Sequence, residues 1–233
     1  MLIGPQNLVL QLTQVRSRID QAAQAAGRDP SSVTLVAVSK SKPVELIRAA
    51  AALGVTDFGE NYVQEAIEKI DALRELNLTW HFIGAIQSNK TRDIAERFGW
   101  VHGVDRLKIA RRLSEQRPFH APPLNICIQV ALVPEDTKGG VAPAGLPELA
   151  AGIQELPRLK LRGLMCMPPA MKEASAQRIL FERAARLRED LNASGLKLDT
   201  LSMGMSDDFE LAVSAGATMV RIGSAIFGSR QSQ

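Results

Sequence analysis

The stretch "TLSMGMSDDFELAVSAGATMVRIGSAIFG", Thr200–Gly228, contains a strand, a helix and a second strand in succession. Thr200–Met205 and Met219–Gly228 are rich in apolar and β-branched residues, Asp208–Ala215 has helical spacing, and Gly216 is a helix stop. A strand, a crossover helix and another strand predict two parallel strands with right-handed connection. Read outward from this unit, the pattern recurs along the chain. Strands are predicted at Ser32–Lys40, Val55–Glu60, Thr79–Gly84, Trp100–Asp105, Leu124–Leu132 and Leu159–Met167, and these two make eight. Helical patterns separate them at Val44–Leu53, Val63–Leu73, Lys90–Phe98, Leu107–Gln116, Gly145–Leu156 and Ser175–Ala193. Several stop on glycine: Gly54, Gly99 and Gly195. Eight alternating strands and helices predict an α/β fold of the (β/α)8 TIM-barrel type. No helix is predicted after strand eight, and the amphipathic N-terminal helix Pro5–Gly27 is expected to cover that outer face. An open doubly wound sheet is the alternative; against it, no GxGxxG follows the first strand, and the Gly/Ser turns fall at the last two.

The composition fits one globular unit. The chain has 233 residues, 45% hydrophobic and 23% charged, a length at which α/β barrels form undivided, so a single domain over 1–233 is expected. "HAPPLN" (His120–Asn125) and "VAPAGLP" (Val141–Pro147) are loops too short to be linkers. With 28 basic against 25 acidic residues and no basic block, the net charge of +3 suits small anionic ligands and speaks against a nucleic-acid partner. Cys127 and Cys166 lie in apolar runs, which suits reduced core thiols better than a disulfide. The first helix lacks a basic n-region and is broken by Gln, Arg and Asp, so neither a signal peptide nor a membrane span is expected, and the protein is expected in the cytoplasm as a monomer or weak dimer.

In such a barrel the chemistry sits at the C-terminal ends of the strands. The polar residues there are Lys40, Glu60-Asn61, Gln87–Lys90, Lys138-Gly139-Gly140, Ser206–Asp208 and Gly223-Ser224. "MGMS" runs into a helix start and "RIGS" offers a glycine for close backbone approach, so the last two strands carry most of the anion-binding capacity. Taken singly, each piece has a plainer role. Ser206 suits a helix N-cap, Gly204 and Gly223 suit turns or packing, and His81 suits a hydrogen-bonded core histidine. Arg221 is less easily explained. A guanidinium inside "MVRI" needs a partner, such as Glu60, Glu210 or a polar ligand atom.

Lys40 closes the apolar run of "TLVAVSKSKP" (Thr34–Pro43); Lys42 reads as a surface lysine. At a barrel mouth a partly desolvated amine becomes a nucleophile able to condense with an aldehyde. A lysine on one side and a phosphate nest on the other are what pyridoxal phosphate requires. The stretches "VAVSKSKP", "FGENYVQE", "WHFIGAIQSNK", "RGLMCMPP", "LSMGMSDDFELAV" and "GATMVRIGSAIFG" together resemble the pyridoxal phosphate homeostasis proteins, a family similar to the barrel domain of alanine racemase. The resemblance implies pyridoxal 5'-phosphate held as an imine on Lys40. It further implies phosphate contacts from Ser206, Gly223 and Ser224, Arg221 at the pyridine nitrogen, and Asn61 and Met203 beside the cofactor. Ala131, Gly139 and Ile86 stand where family members often carry Asn, Ser and Leu.

Two functions follow. A carrier would hold the cofactor reversibly, maintain its intracellular level and pass it to apo-enzymes. A racemase or related enzyme on the same barrel would need a second acid opposite the lysine. Alanine racemases take that acid, a tyrosine, from a further β-domain; here the single tyrosine, Tyr62, follows strand two, and no such domain is expected after strand eight. An arginine at the pyridine nitrogen also weakens the ring as an electron sink. The expectation is a non-catalytic carrier.

Overall fold

The computed structural model describes residues 5–133 and 139–228. Eight strands form one closed barrel in sequence order: β1 Thr34–Val38, β2 Asp57–Glu60, β3 Thr79–Phe82, β4 Trp100–Val104, β5 Leu124–Gln129, β6 Leu159–Met165, β7 Thr200–Ser202 and β8 Met219–Ile222. All neighbours are parallel, and the barrel closes where Thr34–Ala37 of β1 register with Met219–Ile222 of β8. Helices α1 Pro5–Ala25, α2 Val44–Ala52, α3 Val63–Ala72, α4 Thr91–Arg97, α5 Leu107–Gln116, α6 Leu146–Gln154, α7 Ala174–Ala193, α8 Phe209–Ser214 and α9 Ser224–Phe227 are the α-helices among the described residues. This is the (β/α)8 barrel that the alternation predicts.

Strand residues divide by alternation between two layers, as barrel strands buried on both faces must. Ala37, Phe58, Phe82, Val101, Ile126 and Val220 join the helix faces in one continuous core. Val36, Trp100, Cys127, Met165 and Met219 form a separate cluster inside the barrel. The interior also carries a polar group, His81, His102, Ser202 and Arg221, all buried.

Helix α1 fills the predicted place. It buries Leu8, Leu12, Val15 and Ile19 along one face, each large side chain contributing about 1.5–3 kcal/mol, and packs on α8 and α9. Arg18 ties it to α8, pairing with Glu210 at 2.6 Å and lying 4.6 Å over the Phe209 ring.

Strand eight is where sequence and structure part. The apolar run predicts strand to Gly228, yet the ladder ends at Ile222 and Ser224–Phe227 is a helical turn. Ile226 and Phe227 are both buried, and their N–H groups donate to Gly223 O at 3.0 and 2.8 Å in place of a neighbouring strand. Strand seven likewise ends early, at Ser202, because Gly204 at φ +93° turns the chain away. A Cβ there would also lie 2.6 Å from that of Ala212.

Candidate functional site

At the C-terminal mouth of the barrel a cavity of about 390 Å³ opens between β1, β2, β7 and β8. Its lining includes Lys40, Asn61, Ser206, Arg221, Gly223 and Ser224, six of the seven residues predicted for the site, with Lys42, Met167, Met205 and Asp207 beside them. Barrel closure explains the assembly, because it places the ends of the first and last strands side by side. Met203, the seventh, does not line the cavity. It is fully buried with its Sδ 4.0 Å from Cys166 Sγ, and Met205, two residues on, faces the cavity instead. Gln87–Lys90 are also absent from the lining, and Lys138 lies outside the described residues.

One wall of the cavity suits an anion. Helix α8 starts at Phe209, too late for Ser206 to cap it; Asp208 stands at the cap position, and its carboxylate accepts from the Met205 N–H at 2.7 Å. Ser206 is thereby released, and its Oγ accepts from the Ala225 N–H at 3.3 Å, joining the β7 loop to α9. The Ser206 hydroxyl, on the cavity lining, keeps a hydrogen that it can donate. The first N–H groups of α9 have no carbonyl of their own helix to bond. Gly223 lets the backbone pack closely on β1, since a Cβ would sit 3.3 Å from both Cβ and O of Val38, tighter than an ordinary contact. Lys42 is half-buried and structural, donating to Phe227 O at 2.9 Å and Gly228 O at 3.0 Å, the end of α9. It is not the surface lysine that the sequence suggests.

Arg221 forms the floor. It pairs with neither Glu60 nor Glu210: Glu60 binds Lys69 and Glu210 binds Arg18. Arg221 donates instead to Ser202 Oγ at 2.7 Å and Cys166 O at 3.1 Å. From there a buried chain crosses the barrel. His102 Nδ1 lies 2.7 Å from Ser202 Oγ, His102 Nε2 lies 2.9 Å from His81 Nδ1, and His81 Nε2 lies 2.9 Å from Asp57 Oδ1. Donor logic orders the protons. A carboxylate only accepts, so His81 donates from Nε2; its Nδ1 then accepts from His102 Nε2–H, and His102 Nδ1 accepts the Ser202 hydroxyl. Both imidazoles are neutral in this arrangement. Burial lowers the pKa of His81 despite the opposing hydrogen bond to Asp57, and burial, with the neighbouring His81 and the Arg221 guanidinium both disfavouring a second proton, drives His102 well below the ordinary value. Burial pushes Asp57 up, but the His81 and Thr56 hydrogen bonds outweigh it and leave the carboxyl below its usual range. The sequence identifies His81 as hydrogen-bonded core; His102 and Ser202 give no signal of their own, because their partners lie across the barrel.

Neither thiol is poised for chemistry. Cys127 and Cys166 are free, buried, and pushed up to about 12 by desolvation. Tyr62 is exposed at the start of α3 and absent from the lining. Among the described residues no group of His, Cys, Asp and Glu could hold a metal ion, and no helix is long and apolar enough to cross a membrane. The cavity therefore offers an amine, an anion-binding wall and a buried guanidinium on a barrel scaffold, the arrangement of a protein that holds a phosphorylated aldehyde.

Comparison with known proteins narrows the class. The sequence pattern described as alanine racemase, N-terminal domain matches residues 10–231. The pyridoxal phosphate homeostasis protein of Pseudomonas aeruginosa is 59% identical over 219 residues, covering 94% of each chain. That of Escherichia coli is 52% identical over 227 residues, 94% of this chain and 95% of the relative. The structure of PipY from Synechococcus elongatus with PLP bound superposes with a TM-score of 0.85 at 39% identity, covering 95% of this chain and all of that one. This chain belongs to the alanine racemase N-terminal domain family, and within it to the pyridoxal phosphate homeostasis proteins.

Proposed function

We propose that this chain binds pyridoxal 5'-phosphate in the cavity at the barrel mouth and serves as an intracellular carrier and regulator of that cofactor, with cytoplasmic apo-enzymes as recipients and a single-domain monomer or weak dimer as the working form. The observation that carries the reading is the placement of half-buried Lys40 and the Ser206–Ser224 wall on the same cavity. The residues present fit the group. Asn61 Oδ1 is buried with no hydrogen-bond partner among the described residues, Ser206 has a hydroxyl hydrogen to give, and the glycine at 223 leaves room for an oxyanion against backbone. When bound, pyridoxal phosphate supplies an aldehyde that a primary amine can capture reversibly. Lys40 would be that amine, Ser206, Gly223 and Ser224 would hold the phosphate, Arg221 would serve the ring nitrogen, and Asn61 would contact the ring. Met203 acts only from behind, through the core. Arg221, held by Ser202 and the Cys166 carbonyl, would present a donor to the ring nitrogen of the bound group and so would disfavour a proton there.

The same lining favours a carrier over a racemase. Racemisation needs an acid on the face opposite Lys40. Apart from Lys40, the titratable groups of the lining are Lys42, Arg221 and Asp207; Lys42 is engaged with α9 and Tyr62 is elsewhere. The test is to load the protein with pyridoxal phosphate and incubate it with L-alanine in deuterated water, then with a cofactor-free enzyme. The carrier reading expects negligible D-alanine and transfer to the apo-enzyme faster than release into a scavenging solution. Racemisation at about 1–1,000 per second, the range of ordinary enzymes, would refute it.

A further inference from the structure

We propose that the buried cluster Lys69–Glu60–Glu65 positions Lys40 for covalent capture, gripping the chain on both sides of it. The proposal rests on the reading of Lys40 as the capturing amine. Lys40 stands in a four-residue turn, Ser39–Lys42, closed by the Lys42 N–H donating to Ser39 O at 3.0 Å. Ser41 occupies the third place at φ +59°, where such turns ordinarily take glycine. A serine stays in that conformation only when its surroundings hold it there.

Lys69 and its partners supply the hold. The Lys69 ammonium is 5% exposed and donates to Ser39 O at 2.7 Å, Glu60 Oε1 at 2.7 Å and Glu65 Oε1 at 2.6 Å, using all three of its hydrogens. Ser39, fully buried, donates its hydroxyl to the same Glu60 oxygen at 2.6 Å, and the Ser41 N–H donates to the same Glu65 oxygen at 2.5 Å. The peptide before Lys40 and the peptide after it are thus tied to one ion cluster.

A cluster built only for stability would look different. Glu60 Oε2 is buried with no hydrogen-bond partner among the described residues, and burial pushes the Glu60 carboxyl up in spite of Lys69. A buried pair with an unsatisfied oxygen is a poor stabiliser compared with packed apolar side chains. What the arrangement does secure is a fixed turn geometry at Lys40. In the capture step the Lys40 nitrogen forms a double bond to the aldehyde carbon, and the aldehyde oxygen leaves as water with the two amine hydrogens. The equilibrium depends on how well the amine is placed over a ring held by other loops, β7 and β8. Lys69, Glu60 and Glu65 touch no ring atom in this scheme and act through the backbone of Lys40.

Two ligands separate placement from general damage. Pyridoxine phosphate carries an alcohol where pyridoxal phosphate carries the aldehyde, so it reports the phosphate and ring contacts alone. Lys69→Met and Glu65→Ala are compared with the unaltered protein for pyridoxine phosphate affinity, by calorimetry, and for the fraction of protein fixed by borohydride on Lys40 at set pyridoxal phosphate concentrations. Glu65 is 29% exposed, so its truncation is expected to spare the fold and decides the question if Lys69→Met does not fold. The expected result is a drop of about tenfold in the capture constant for Lys69→Met and about threefold for Glu65→Ala, the scale of misplaced reacting groups, with pyridoxine phosphate affinity within about twofold of the original. Parallel losses for both ligands, or no loss for either, would overturn the positioning role. An unaltered protein that captures no aldehyde on Lys40 would overturn the reading of Lys40 and this inference with it.

Discussion

The buried chain from Arg221 to Asp57 makes stability fall on the acid side of neutrality. In the folded protein His81 and His102 have both ring nitrogens engaged, and a second proton on either must displace a donor or sit beside Arg221. Their folded pKa values are depressed below the ordinary 6.5, so the unfolded chain binds protons that the native state refuses. Their contribution is fully present above 6.5 and is lost as pH falls below it. At about pH 5.5 a histidine that titrates at 6.5 when unfolded and stays neutral when folded, the limit that His102 approaches, costs RT ln(1 + 10), about 1.4 kcal/mol, and His81 adds to the loss in the same direction. Glu60 and Asp208, raised mainly by burial, work the other way: their stabilising protonation is gained as pH falls toward the ordinary carboxylate range. That opposing effect cancels in a comparison with His102→Gln, which removes one histidine and leaves both carboxyls. Urea unfolding at about pH 7.5, 6.5 and 5.5, followed by the fluorescence of Trp80 and of Trp100, which stacks 5.6 Å from His81, measures each slope. The variant should lose about 1.4 kcal/mol less than the original between pH 7.5 and 5.5. Equal losses would mean that His102 takes up a proton in the native state, and the ordered neutral chain would be wrong.

Other substitutions follow from single contacts. Ser206→Ala should weaken pyridoxal phosphate binding by about 1–2 kcal/mol, roughly five- to thirtyfold, through one lost charge-assisted hydrogen bond, with pyridoxal itself little affected; titration with both ligands checks it. Gly204→Ala forces φ +93° on a residue with a Cβ and brings that Cβ within 2.6 Å of Ala212, and should cost about 2–4 kcal/mol in urea midpoint measurements. Lys42→Met removes the bonds to the end of α9, and amide exchange in 224–228 should quicken while exchange in β8 stays slow.

The barrel was legible because each strand announces itself locally and the order of eight parallel strands leaves few ways to close. The same closure made the site legible: Lys40, Asn61 and Ser206 are far apart in sequence, yet all sit at strand ends and so at one mouth. Two kinds of feature escaped. Strand ends were overrun, as at Ser224–Phe227, because an apolar run carries the same signal in a strand and in a single buried helical turn. Contacts across the barrel left no trace in spacing either. Nothing in "MVRI" says that Arg221 meets Ser202 and the Cys166 carbonyl instead of Glu60, and nothing in "VQEAIEKI" says that Lys69 reaches the turn at Lys40. Ser206 looked like a helix cap because Asp207-Asp208 follow; the helix starts three residues later, and that offset frees its hydroxyl.

Lys40 is the residue on which cofactor capture depends most directly. Borohydride reduction of the protein mixed with pyridoxal phosphate, followed by proteolysis and mass spectrometry, locates the amine that captures the aldehyde. The structure predicts one dominant adduct, on Lys40, accompanied by loss of a visible absorption band, and neither in Lys40→Ala, whose urea midpoint should be nearly unchanged. A dominant adduct on Lys42, Lys90 or Lys138, or a protein that forms none, would contradict it.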